Sequence, residues 1–382
     1  MPISKFFYNL QIVQLLGFFV ALAIAYILTP LIQTRAQKLG ILDKPSKRKI
    51  HNTPIPRLGG VSIYVSLFLT TLIFLAAYWK YSTFFIGTFA LLGVFAGGTI
   101  IFFLGLLDDI ESLPPMLKLL IQIMAASVGY FLGIKILHLA NPFYHADFYF
   151  FKLSVGDQVI HFDPIVSYIL TIVWVVGITN AINLVDGMDG LATGVCLISA
   201  IAIWAVSLDY RINQSAGALM SATLAGGLLG FLRWNFNPAR IFLGDSGAYL
   251  TGFVLASLAI SCVTKKVAVV IMAPVIILIF AFPIVDTLFA VIRRTLNRKS
   301  ILEPDKGHLH HRILKMGVSQ KIASYLLYLV SALSGLIATY MISVRSTFRF
   351  LILAGMIFAI VLFYACIINW RHQKLFRNLF MK

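Results

Sequence analysis

Long apolar runs constrain this chain more than any other feature of its sequence. Of its 382 residues, 60% are hydrophobic, and several runs exceed the ~18–20 residues that a helix needs to cross a bilayer. Because a soluble fold of this size cannot bury so much apolar surface, we predict an all-α polytopic membrane protein with about eleven transmembrane helices. The predicted spans are 10–33, 59–79, 83–106, 118–137, 164–182, 190–208, 215–232, 247–263, 267–292, 321–343 and 350–370.

The distribution of charge predicts how this bundle is oriented. An odd number of spans puts the termini on opposite sides, and most of the 31 Lys and Arg residues then share the face of the C-terminus. The positive-inside rule makes that face cytoplasmic and leaves the N-terminus outside. Most of the 14 carboxylates fall on the same face, which indicates a site for a metal ion and an anion. We therefore attribute the net charge of +17 to membrane orientation and to this site, and we predict no nucleic-acid partner.

The connections between spans predict where chemistry is located. We treat 1–382 as a single membrane domain with cytoplasmic active-site loops at 34–58, 107–117, 183–190, 233–246 and 293–320. The largest external segment, 138–163, alternates partly and contains Gly156-Asp157 between two apolar runs. That pattern is typical of a small β-hairpin.

The stretch Thr179–Gly194 interrupts the apolar pattern with the sequence TNAINLVDGMDGLATG. Asn183, Asp186 and Asp189 recur at three-residue intervals, which puts them near one face of a helical turn. Acidic residues at a membrane boundary are costly unless they serve a site or find partners. For this motif alone, a polar loop between two spans is the alternative.

Two further acidic motifs lie on the same predicted face. Asp108 and Asp109 are adjacent in GLLDD at the end of a span, and two such carboxylates favour a nearby cation or a raised pKa. Lys118 begins the next span within reach of them. Asp245 stands between Gly244 and the eighth span, where it suits a Mg²⁺ ligand and equally a helix N-cap. Helix termination is the alternative for the adjacent pair.

Basic and amide residues complete the candidate site. Lys49 and His51 lie in a cationic loop that suits contact with anionic lipid, a lipid phosphate or a diphosphate, and Asn235 lies upstream of Asp245. The motif HLHHR supplies four more candidates, His308, His310, His311 and Arg312. Zinc is disfavoured because that face offers no second ligand cluster, whereas hydrogen bonds to a sugar or phosphate fit these side chains.

Taken together and in this order, GLLDD, NLVDGMDGLATG, FLGDSG and PDKGHLHHR resemble the polyprenyl-phosphate N-acetylhexosamine-1-phosphate transferase family. The resemblance covers about Lys47 to Leu314. The HLHHR form is similar to that of bacterial enzymes that start teichoic-acid, O-antigen or enterobacterial-common-antigen chains from UDP-GlcNAc and undecaprenyl phosphate. Within the family, UDP-GalNAc or UDP-MurNAc-pentapeptide is the alternative donor. Outside it, a secondary transporter or channel is the remote alternative.

The resemblance also implies roles for the candidate residues. Asp245 would bind Mg²⁺, with Mn²⁺ as an alternative ion, and Asp108 or Asp109 would deprotonate or orient the lipid phosphate, or share the metal. The residues that would contact the nucleotide, the diphosphate or the sugar are Lys49, His51, Lys118, Asn183, Asp186, Asp189, Asn235, His308, His310, His311 and Arg312. The enzyme would lie in the bacterial inner membrane with its active site facing the cytoplasm. A homodimer is left open.

Overall fold

The computed structural model describes residues 3–43, 53–77, 88–140, 159–208, 215–263, 275–297, 307–341 and most of 352–362. The helices, numbered in chain order, are α1 (Ile3–Leu39), α2 (Gly59–Ala77), α3 (Thr88–Ile110), α4 (Pro115–Phe131), α5 (Pro164–Val185), α6 (Leu191–Ser207), α7 (Ser215–Asn235), α8 (Gly244–Val263), α9 (Ala281–Leu296), α10 (Leu309–Lys315) and α11 (Gln320–Met341). Residues 275–279 and 354–360 are also helical. Every predicted span therefore overlaps a helical segment.

The helices agree with a polytopic membrane protein. Six of those described, α1, α2, α3, α5, α7 and α11, are long and apolar enough to cross a bilayer. Shorter apolar helices are present at α4 and α6. The predicted helical membrane class is confirmed at this level, while the count of eleven crossings and the orientation stay predictions.

Local sequence signals account for several helix starts. Helix α5 begins at Pro164, and the Asp163 carboxylate accepts hydrogen bonds from the backbone N–H groups of Ile165 and Val166, as expected of an N-cap followed by proline. Helix α4 also begins with a proline, Pro115. Helix α3 continues through Ile110. Asp108 and Asp109 consequently lie in its last turn and not beyond its end.

Helix α8 lies at the centre of the bundle. It packs against α3, α5, α2 and α6, while α1 packs against α7. The large side chain of Phe253 on α8 is fully buried. Gly105 of α3 allows a close approach, because a Cβ atom there would lie 2.5 Å from the Ser246 backbone. The N-terminus of α8 is therefore held tightly against the C-terminal part of α3.

Two short antiparallel strand pairs lie outside the helices. Strand β1 (Leu42–Asp43) pairs with β2 (Ile55–Pro56), and β3 (His138–Ala140) pairs with β4 (Val159–His161). The second pair lies at the two ends of the segment predicted to contain a hairpin. Gly156-Asp157 lies outside the described residues. The first pair was not predicted, and it places Asp43 and Arg57 near the start of α2.

Candidate active site

Four separated parts of the chain meet at one end of the bundle. The end of α5, the first turn of α8 and the segment after β2 line a single cleft, and the last turn of α3 contacts the first turn of α8. Backbone hydrogen bonds join two of them: Gly59 and Gly60 donate to Phe242 and Leu243, at 3.0 and 2.9 Å. The predicted acidic motifs, although distant in sequence, thus lie together as the prediction requires.

Asp245, in the first turn of α8, is the meeting point of the polar side chains. Asn183 donates a hydrogen bond of 2.8 Å to its Oδ1 atom, and Arg57 donates one of 3.3 Å to Oδ2. The Asp108 carboxyl is also close enough to interact with it. Asp245 is partly exposed to the cleft, so its carboxylate can reach a bound ligand.

Asp109 holds the start of α8 in place. Its carboxylate accepts hydrogen bonds from the backbone N–H groups of Asp245 and Ser246, at 2.8 and 3.0 Å, and from the Ser246 hydroxyl at 2.7 Å. A negative charge at a helix N-terminus is stabilising because the N–H groups there lack intrahelical partners. Gly244 precedes this turn with φ +74°, and a Cβ there would lie 2.6 Å from Asp109 Oδ2.

Asp108 points toward different partners from its neighbour. It accepts a hydrogen bond of 2.8 Å from Lys118 Nζ and one of 2.9 Å from the Leu113 backbone. Its side chain is almost fully buried. The prediction that Lys118 reaches back to this pair is confirmed. The two carboxylates contact different helices, however: Asp108 contacts α4, and Asp109 contacts α8.

Arg57 is the main described cation of the cleft. Its guanidinium lies 3.6 Å from Asp43, 3.7 Å from Asp109 and 3.3 Å from Asp245. One positive charge therefore serves three carboxylates. Because this leaves the cleft with a surplus of acidic groups, a bound cation would be electrostatically favoured.

Asp186 follows α5 directly and lines the cleft. No described side chain donates a hydrogen bond to its carboxyl. Burial, followed by the negative charges of Asp245 and Asp109, raises the pKa of Asp186 to about 8. A cation bound beside this carboxyl would lower its pKa and favour the ionised form. The Asp186 side chain is therefore suited to bind a cation. The cleft measures about 420 Å³.

Asp189 and Asn235 organise the loop between α7 and α8. Asp189 accepts hydrogen bonds from Asn237 Nδ2 at 2.9 Å and from the Ala239 backbone at 3.0 Å. Asn237 also donates to Gln320 on α11, and the peptide bond between Asn237 and Pro238 is cis. Asn235 accepts from Thr193 and donates to the Ile241 carbonyl. Both predicted residues line the cleft but are largely committed to this loop.

The HLHHR motif is mostly buried. His308 Nδ1 lies 2.8 Å from Asp286 Oδ2, and the same carboxylate accepts from the Leu309 backbone at 2.8 Å. His310 is buried, and neither of its ring nitrogens has a hydrogen-bond partner. Burial, with a further contribution from the neighbouring His311, lowers the pKa of His310 to about 3.

Within this motif, His311 lines the cleft. Arg312 donates to the Gly307 carbonyl at 2.8 Å and is not among the cleft residues. The structure thus brings one of the three predicted histidines to the cleft surface. Lys49 and His51 lie outside the described residues, so their predicted contacts stay predictions.

Several residues of this region were not among the predicted site residues. Arg57 lies in the predicted basic loop, directly before the glycines that start α2, and this position was a usable signal. Asp286 lies within an apolar span, where an acidic residue is expensive and marks a partner or a site. Asp43 lies in the predicted cytoplasmic loop 34–58, whereas Gln320 belongs to no motif.

The fold and the cleft define a helical membrane protein with a polar, acidic site at one end of its bundle. Residues 91–263 match the profile of glycosyl transferase family 4. A probable undecaprenyl-phosphate N-acetylglucosaminyl 1-phosphate transferase of Bacillus subtilis is 36% identical over 317 residues, covering 82% of this chain and 81% of that protein. The decaprenyl-phosphate N-acetylglucosaminephosphotransferase of Mycolicibacterium smegmatis is 34% identical over 330 residues, covering 81% and 77%.

A third relative is more distant. The phospho-N-acetylmuramoyl-pentapeptide-transferase of Staphylococcus epidermidis is 26% identical over 336 residues, covering 84% of this chain and 97% of that protein. The chain belongs to glycosyl transferase family 4, as the order of its four motifs predicted.

Proposed function

We propose that this protein transfers N-acetylglucosamine-1-phosphate from UDP-GlcNAc to undecaprenyl phosphate and releases UMP. The observation that carries the proposal is the convergence of Asp245, Asp186, Asn183 and Arg57 on one cleft, in a chain 36% identical to a relative named for this transfer. The product would be undecaprenyl-diphospho-GlcNAc, the first lipid-linked intermediate of a cell-envelope glycan.

The reaction is a phosphoryl transfer between two anionic substrates. An oxygen of the lipid phosphate attacks the β-phosphorus of the UDP-sugar, and the bond from that phosphorus to the bridging oxygen breaks, so that UMP leaves. Such a reaction depends on positioning and on neutralising charge more than on covalent chemistry. Arg57 is placed to neutralise the diphosphate, and Asn183 holds the Asp245 carboxylate in one orientation.

We favour direct attack by the lipid phosphate over a phospho-aspartate intermediate. Asp109 already accepts three hydrogen bonds at the start of α8, and Asp108 is bound to Lys118 and to the Leu113 backbone. Carboxylates held in this way are poor nucleophiles. A lipid phosphate is largely ionised at neutral pH, so it needs little help from a general base.

We further propose Mg²⁺, or Mn²⁺ in its place, as the cofactor. Among the described residues no group of three His, Cys, Asp or Glu side chains is placed to hold a metal ion by itself. However, Mg²⁺ usually takes one or two carboxylates and completes its coordination shell with phosphate oxygens and water. Asp245 and the unpartnered Asp186 fit that requirement. When bound there, the ion would neutralise the diphosphate of the donor.

The test is UMP release by the purified protein in lipid nanodiscs. We expect release from UDP-GlcNAc that requires both undecaprenyl phosphate and Mg²⁺, and that is lost in Asp245→Asn while the protein still folds. UDP-GalNAc and UDP-MurNAc-pentapeptide serve as competing donors. Preferential use of the pentapeptide donor would move the protein toward the activity named for its more distant relative, and release without any lipid acceptor would refute the proposal.

The active site is proposed to face the cytoplasm, because UDP-sugars are made there and because most Lys and Arg residues fall on that face of the predicted topology. In inside-out membrane vesicles, UDP-GlcNAc added from outside should then be used without permeabilisation. A requirement for permeabilisation would contradict this orientation.

A further inference from the structure

A second cavity is lined by the end of α7 and the loop that follows it. It measures about 410 Å³, and its apolar wall is formed by Leu229, Leu232 and Phe236. Arg233 and Arg240 stand at its rim. A cavity that combines an apolar wall with two guanidinium groups is suited to an amphipathic anion.

The two arginines are available to such a ligand. Both are exposed, and no carboxylate of the described residues forms an ion pair with either of them. Their guanidinium carbons lie 5.8 and 5.5 Å from the centre of the Trp234 ring. The indole N–H of Trp234 donates to the Tyr26 carbonyl at 3.2 Å, so the ring that supports both arginines is itself fixed to α1.

The position along α7 matches the boundary of a bilayer. Helix α7 is one of the candidate membrane-spanning helices, and Leu229, one turn before Arg233, is 39% exposed. An apolar surface followed by a tryptophan and arginines is typical of the zone where acyl chains give way to headgroups. Basic pockets at that depth bind anionic lipid headgroups.

The cavity and the catalytic cleft are lined by different residues of the segment that follows α7. Hydrogen bonds connect the two groups of residues: Arg240 donates its backbone N–H to the Trp234 carbonyl at 2.8 Å, and the neighbouring Ala239 donates to Asp189, which lines the cleft. An occupant of the second cavity would therefore stabilise the loop that contributes to the cleft.

We propose that this cavity binds an anionic phospholipid of the bilayer, with its phosphate between Arg233 and Arg240 and an acyl chain along Leu229 and Leu232. Binding at this place does not depend on the function proposed above. The acceptor lipid is also anionic, but Arg233 and Arg240 are not among the residues that line the cleft with Asp245. The occupant is therefore a structural lipid and not the substrate.

The experiment compares the wild type with the double variant Arg233→Gln/Arg240→Gln. Each protein is delipidated and titrated with phosphatidylglycerol, and bound lipid is counted by native mass spectrometry. Loss of two headgroup contacts should weaken binding at least about tenfold. Lys38→Gln, which removes another exposed cation at the same end of the bundle, is the matched control and should bind like the wild type.

A second variant and a second readout guard against a trivial outcome. Arg233→Lys/Arg240→Lys keeps both charges and should retain most of the binding, which a misfolded protein would not do. Turnover in nanodiscs of pure phosphatidylcholine should be the same in the wild type and the Gln variant, and phosphatidylglycerol should increase it only in the wild type. Unchanged phosphatidylglycerol binding in the Gln variant would overturn the proposal. So would a raised KM for the polyprenyl phosphate in phosphatidylcholine alone, because that result would identify an acceptor site.

Discussion

Replacing Asp109 by asparagine separates a structural role from a catalytic one. The carboxylate accepts three hydrogen bonds from the first residues of α8, so it fixes the helix that carries Asp245. Asparagine keeps one acceptor oxygen and presents an amide N–H₂ group where the second oxygen was. One of the α8 donors, from Asp245 or Ser246, then faces another donor.

The magnitude follows from these contacts. A hydrogen bond to a charged group contributes roughly 1.5–3 kcal/mol, and leaving a buried donor unpaired costs roughly 1–3 kcal/mol. Removing a negative charge close to Asp245 returns part of that cost. We therefore expect Asp109→Asn to lower the free energy of unfolding by about 2–3 kcal/mol. For a chain of this length that is a fall of about 2.5–4 °C in the unfolding midpoint.

The assay is thermal unfolding in detergent at a fixed scan rate, followed by intrinsic tryptophan fluorescence, together with UMP release below the unfolding midpoint. A fixed rate is needed because membrane proteins usually unfold irreversibly. Asp109→Asn should lose stability and activity together. If it unfolded at the wild-type midpoint while losing all activity, the carboxylate would act directly on substrate, and the capping argument would be refuted.

Three further predictions use four other substitutions. Asp186→Asn should abolish UMP release without lowering the unfolding midpoint, because this carboxyl has no described hydrogen-bond donor and burial raises its pKa to about 8; a lowered midpoint would contradict this. Gly105→Ala should cost roughly 1–3 kcal/mol by overpacking α3 against α8, whereas Gly177→Ala, with nothing within 4 Å of its Cβ, should be neutral or slightly stabilising. His310 has a pKa of about 3 in the folded protein and about 6.5 in the unfolded state. Between these two values the unfolded state binds one more proton than the folded state, so the free energy of unfolding falls as the pH falls. The loss is about 2 kcal/mol at pH 5. His310→Gln should show a shallower loss of unfolding midpoint between pH 8 and pH 5, and an equal loss would show that the ring is not neutral and buried.

Much of the architecture was predictable because apolar run length is a strong signal in a membrane protein. The starts of α2, α5 and α7 agree with the predicted spans since each follows a glycine, proline or polar stretch that cannot continue a preceding helix. The predicted convergence of Asp108 and Asp245 also agrees with the structure. The parity of the spans requires both motifs to lie at the same end of the bundle, and the family resemblance implies that they meet in one site.

The division of labour among the carboxylates was not predictable. Adjacent residues in a helix differ by about 100° in direction, so Asp108 and Asp109 meet different neighbours. Which of them meets α8 depends on the rotation of α3 about its axis, and no residue pattern in an apolar helix determines that rotation. The position of Arg57 in the basic loop was a usable signal, but its contacts with three carboxylates were not predictable. They depend on a strand pair of two residues each, too short to leave a periodic signal.

The density of histidines in HLHHR is explained by the need to position a very short helix. Helix α10 has seven residues, too few to be stable alone, and Asp286 of α9 holds its first turn through His308 and the Leu309 backbone. The buried His310 ring then packs between this anchor and the loop containing Gly187. His311 is consequently presented to the cleft from a helix that is fixed at its start and along its inner face. The motif therefore combines one residue that can contact substrate with two that determine where that residue lies.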